Sequence, residues 1–102
     1  MSGLLNSLSR HTFIAQQIER IKAGVPDLAL ARNHLQDRVE AETSLRFEPR
    51  DRAALRAFIR GLSRRLRSGE IDDTTAYAGM NRLIMAATSN NPEVLHIIYA
   101  GA

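Results

Sequence analysis

The stretch EPRDRAALRAFIRGLSRRLRSG, residues 48–69, decides the fold. Pro49 stands where a helix tolerates it best, at a first position that needs no backbone N–H. Leu55, Phe58, Ile59, Leu62 and Leu66 then recur at steps of three and four, which on a helical period makes one continuous apolar face. Ser68-Gly69 stops the run. A helix with one apolar face has to bury it, and the flanking sequence supplies partners of the same kind.

Upstream, Ile14, Ile18, Ile21 and Val25 form a second stripe, in a helix predicted to start at Ser7 or Ser9 and to end at Gly24-Val25-Pro26. The next helix is predicted from Pro26-Asp27 to Glu42 or Thr43, with Leu28, Ala31, Leu35 and Val39 inward. Phe47 and Pro49 mark the break after it. Downstream, Asp72 or Asp73 caps a helix carrying Tyr77, Met80, Leu83, Ile84 and Ala87 on its inner side. Gly79 within it is read as a close helix–helix contact. Asn91-Pro92-Glu93 then opens a short last helix over Val94–Tyr99. No segment shows the strict alternation of a half-buried strand, and no repeat or linker divides the chain. The expected fold is all-α, a single domain over 1–102 built as a small bundle of four to five helices.

Composition agrees with that. Of 102 residues, 44% are apolar and 25% charged, the balance of an ordinary globular domain and not of a disordered one. One core is all this length allows, and its burial margin is thin. The absence of Cys excludes disulfides and thiolate metal sites. The longest apolar runs, Leu83–Ala87 and Ile97–Ala102, are far short of the roughly 18–20 residues of a membrane span. No basic segment precedes the first leucines as a secretory signal requires, so a cytoplasmic protein is expected. The cations are 13 Arg and one Lys, a bias that points to a GC-rich bacterial genome.

The residues that carry chemistry elsewhere are poorly placed here. His11, His34 and His96 do not pair at ligand spacing, so no metal and no cofactor is expected. They read as ordinary helical histidines, with His96 partly packed. No nucleophile motif or phosphate-binding glycine loop occurs. His34 and Asp37 lie one turn apart, but such pairs usually form the wet face of a helix. The chain is not expected to be an enzyme. A helix-turn-helix with its turn at Ala78-Gly79-Met80 would offer Arg82 and an otherwise apolar surface to base edges, which makes a poor reader of DNA.

Two regions remain as candidate contact surfaces. Residues 48–70 hold seven arginines against Glu48, Asp51 and Glu70, a local net of +4, whereas 71–102 are locally acidic. Arg52, Arg56, Arg60 and Arg64 step by four and Arg67 falls among them, so these five share one sector beside the leucine face; Arg65 points elsewhere. Guanidiniums in such a strip can bind phosphates, an acidic protein or nucleic acid. The second region is Val94, Leu95, Ile97, Ile98 and Tyr99, apolar on nearly all sides, which suggests cover by another chain and therefore a homo-oligomer.

One resemblance adds to this. Ser44-Leu45-Arg46-Phe47-Glu48 resembles the first five positions of the S/T-x-x-x-E-G/N inhibitory helix in small antitoxins of Fic-type adenylylating toxins, with Pro49 standing where that family has Gly or Asn. The resemblance implies that Glu48 would meet the toxin's nucleotide-site arginine, with Ser44 beside it. The expected function is that of a small helical interaction module, a bacterial or mobile-element regulator or inhibitor acting on another protein. The alternative is a nucleic-acid-binding protein that uses the arginines of residues 50–67.

Overall fold

Local capping chemistry sets most of the helix boundaries. Glu48 is extended (φ −84°, ψ 166°) and forms a capping box with Asp51, whose carboxylate accepts the Glu48 N–H at 3.0 Å. Gly69, at φ 80°, supplies the left-handed residue that ends the same helix, and Gly24, at φ 81°, does so for the first one. Asp72 accepts the Thr75 N–H at 2.8 Å, and Asn91 Oδ1 accepts that of Glu93 at 2.9 Å.

The resulting elements, in a computed structural model that describes the backbone of residues 2–102 and the side chains from Ser9 onward, are five helices. They are α1 (Ser2–Ala23), α2 (Asp27–Glu42), α3 (Pro49–Ser68), α4 (Asp73–Thr88) and α5 (Glu93–Gly101). α1 packs against α2, α3 and α4, and α5 closes over α3 and α4. One core joins them: Ile14, Ile18 and Ile21 meet Leu35 and Val39, Leu55, Phe58, Ile59 and Leu62, Met80, Leu83 and Ile84, and Val94 and Ile98. The Cα radius of gyration is 12.9 Å, close to the value of about 13 Å for a compact chain of this length. The all-α bundle is therefore as expected, with five helices. No helix of the described residues is long and apolar enough to cross a membrane.

Several expectations are corrected. α1 extends back to Ser2, so Ser7 and Ser9 lie inside it and neither caps it. Val25 does not complete the α1 stripe; the left-handed turn at Gly24 carries the chain off the helix, and Val25 is 83% exposed. Leu28, Leu66 and Tyr77 reach only the margin of the core. Gly79 faces open space, with nothing within 4 Å of where a Cβ would stand. The tight approach between helices is at Gly101 instead, where a Cβ would come within 2.6 Å of the Phe58 ring. Ala78–Met80 lie within the continuous helix α4, so no turn interrupts it there. His96 is exposed. Ser44–Glu48 is not helical: Phe47 is buried and Glu48 caps α3, so the helix that the antitoxin resemblance implies does not form at that motif.

Candidate partner-binding surface

The arginines of the chain fall into two groups. Arg38, Arg50 and Arg82 form ion pairs with Glu42, Glu48 and Glu93 at 2.7, 3.3 and 3.4 Å. Arg10 donates to Asn81, Arg20 to His34, Arg32 to Asn33 and Arg46 to backbone carbonyls. Arg52 donates to the Phe47 carbonyl at 3.0 Å. Arg56, Arg60, Arg64, Arg65 and Arg67 have no hydrogen-bonding or ion-pair partner among the described residues, and all five are on α3.

This redraws the strip. Arg52 leaves it, because a guanidinium at the helix start finds the carbonyl of the chain entering the helix. Arg65 also has no partner among the described residues but lies about 100° round the helix from Arg64, off the strip, where it borders a surface hollow together with Arg60, Arg64, Gly101 and Ala102. Arg67 lies over the first interhelix turn; a Cβ on Gly24 would stand 2.9 Å from its Nη1. Arg60 is central, lining each of the three hollows along this side. The helix can hold these like charges together because its other face is anchored by Leu55, Phe58, Ile59 and Leu62.

Beside the strip runs a furrow between α2 and α3. One part of about 300 Å³ is bounded by Val25, Pro26, Leu28 and Ile59 with Arg32, Arg56 and Arg60 at its edges. A shallower part continues past Leu28 and Arg60 to Arg64, Arg67 and Ser68. Sequence spacing within α3 could not reveal Arg32 or Val25 as neighbours of the strip. The signal for Val25 was its place between Gly24 and Pro26, two residues that break helices.

α5 does not repeat this openness. Val94 and Ile98 are 0% exposed within the single chain, and Leu95 and Ile97 are half-buried. Tyr99 is partly exposed, but its hydroxyl donates to Asp51 Oδ1 at 2.6 Å. Burial pushes the Asp51 carboxyl up, yet the hydrogen bonds from Tyr99 and the Glu48 N–H and the charges of Arg50 and Arg52 together hold it below its ordinary value. The same hydrogen bond to Asp51, helped by burial, raises the Tyr99 phenol. The proposed interface over Val94–Tyr99 is thus reduced to its outer edge, since two of its five residues are internal.

The histidines are dispersed. His11 Nδ1 lies 2.9 Å from the Tyr77 hydroxyl, and His34 Nδ1 lies 3.1 Å from Arg20 Nη1 across the α1–α2 seam. A guanidinium can only donate, so His34 Nδ1 accepts there and its proton sits on Nε2. Asp37 is exposed and forms no hydrogen bond with His34. No group of three His, Cys, Asp or Glu side chains gathers among the described residues. Comparison with protein-family models, with curated proteins and with solved structures finds no match to this chain.

Proposed function

We propose that this chain is a small helical regulator or inhibitor, bacterial or carried by a mobile element, that acts by binding another protein through the arginine face of α3. The supporting observation is that all five arginines without a partner among the described residues lie on one helix, four of them, Arg56, Arg60, Arg64 and Arg67, in one sector, when the other eight arginines have partners within the fold. Arginine presents a planar fork that carboxylates match with two parallel hydrogen bonds, so an acidic protein surface is the complementary partner. A symmetric pair of these faces would set like charges against each other, which favours a different protein over a second copy of this chain.

The test replaces Arg56, Arg60 and Arg64 together with Gln and compares the proteins cross-linked to tagged wild type and variant in the native cell. Loss of one specific partner with the fold intact supports the reading; an unchanged set of partners overturns it. The same five guanidiniums favour one second reading, nucleic acid. Five phosphate contacts would give a log–log salt slope of roughly −4 to −5 with duplex DNA, flattened by about 3 in the triple variant. An acidic protein gives a shallower slope.

A further inference from the structure

The furrow between α2 and α3 combines two features that a phosphate backbone does not need together. Its edges carry Arg32, Arg56 and Arg60, and its floor is apolar, formed by Leu28, Pro26 and Ile59. Val25 stands beside them, 83% exposed at the turn between α1 and α2. The Nε of Arg32 is buried with no hydrogen-bonding partner among the described residues, so this guanidinium is not tied off at its base by a carboxylate of its own chain. Exposed apolar surface next to unpaired cations is a standing cost for the free protein.

The geometry points to a short acidic amphipathic helix of a partner protein as the occupant of this furrow, with one or two apolar side chains on Val25, Leu28 and Ile59 and flanking carboxylates on Arg56, Arg60 and Arg32. This rests on the reading of the α3 face as a protein-binding surface, and it names where on that face, and by what chemistry, the partner is held. Three observations select this occupant. The walls are helices whose backbone groups are already paired, so an incoming strand would find no edge to join, and recognition must go through side chains. The volume of about 300 Å³ is at the low end of ligand-sized pockets, suited to one or two side chains. The furrow from Arg56 to Arg67 follows about three turns of α3, or about 16 Å, the length of a short docked helix. Nucleic acid would satisfy the arginines and leave the apolar floor uncovered.

The experiment uses the full chain and fluorescence anisotropy of a labelled designed helix of about 16 residues, with Leu at i, i+3, i+4 and i+7 and Glu on the flanks. Its controls are the same peptide with Ser for Leu, and a duplex DNA of equal charge. Binding of the Leu–Glu helix at about 0.15 M salt is expected, weakened at least tenfold by the Ser control and at least tenfold by Val25→Asp. Val25 is a solvent-facing turn residue, so Val25→Asp is expected to leave the circular dichroism melt unchanged. Val25→Leu should bind as well as the parent and so controls for any change at the turn. If Arg56→Gln/Arg60→Gln/Arg64→Gln removes binding while Val25→Asp and the Ser control leave it intact, the furrow is overturned and the arginine face stands. If the duplex binds and the Leu–Glu helix does not, the protein-binding reading falls with it. Absence of binding to the Leu–Glu helix up to millimolar concentration also overturns the furrow.

Discussion

α3 and α5 pack against each other yet meet solvent in opposite ways. α3 is 20 residues long and strongly two-faced: Leu55, Phe58, Ile59 and Leu62 are buried, and the opposite side carries Arg56, Arg60, Arg64 and Arg67, which have no partner among the described residues. α5 has nine residues and no charge after Glu93, and it turns Val94 and Ile98 fully inward. The difference follows from length and anchorage. A five-turn helix held by one face can leave the other free for a partner. A helix of nine residues is too short to persist by itself in water, so its apolar residues have to be spent on the fold. α3 thus leaves charged surface open, while α5 commits Val94 and Ile98 to the core.

The sharpest way to break this contrast is Ile98→Asp. An interface residue would tolerate the charge and the chain would stay folded; an internal one would not. With Ile98 at 0% exposure, the expected loss is about 4 kcal/mol or more, enough to unfold most of a small domain. A cooperative melt close to that of the parent would return α5 to the surface.

A smaller effect is expected at the latch between the two helices. Asp51→Asn removes a carboxylate that accepts from both the Tyr99 hydroxyl and the Glu48 N–H, and should cost about 1–3 kcal/mol in urea denaturation. The pH dependence has two limbs. Asp51 is lowered in the folded state, so its contribution is present above the unfolded carboxylate value of about 4 and is lost as pH falls through the folded value. Tyr99 is raised, so its contribution is present below the unfolded phenol value of about 10 and is lost as pH rises through the folded one. Melting temperature against pH should therefore lose part of its alkaline decline in Tyr99→Phe and part of its acid decline in Asp51→Asn. Declines identical to the parent in both variants would mean that the latch does not hold α5.

Gly79→Ala is expected to raise stability by about 0.5–1 kcal/mol, since the methyl meets open space and Ala is the better helix former. A loss of more than about 1 kcal/mol in thermal or chemical denaturation would mean that another surface packs there. The least change in stability per substitution is expected for Arg56, Arg60 and Arg64 replaced together by Gln, within about 0.5 kcal/mol per site. A large destabilisation would show that these arginines belong to the fold, as Arg52 does.

Much of the architecture was legible from local patterns. The stripes Ile14–Ile18–Ile21, Ala31–Leu35–Val39, Leu55–Phe58–Ile59–Leu62 and Met80–Leu83–Ile84 are all buried. Pro49, Gly69, Asp72 and Asn91 bound their helices as their chemistry requires. Of the candidate strip, Arg56, Arg60, Arg64 and Arg67 have no partner among the described residues and Arg52 has one. Periodicity assigns a sector of a helix, but a partner such as the Phe47 carbonyl is visible only once the preceding loop is folded. Gln17, 1% exposed with no partner for its Oε1 among the described residues, is a further position where a polar residue took a core place that its type did not announce.

The sequence by itself determined an all-α bundle of four to five helices and the core positions of the first four, because helical period and caps are properties of neighbours along the chain. Which of the remaining surfaces stays open was decided only in three dimensions. Val25 is exposed because Gly24 turns the chain, Arg65 has no partner among the described residues because no carboxylate of theirs comes near it, and Val94 and Ile98 are enclosed because α3 and α4 cover two sides of α5. The physical reason is that burial and pairing belong to contacts between residues far apart in sequence. The same pattern of arginines or leucines can be interior or exterior according to which helix lies across it.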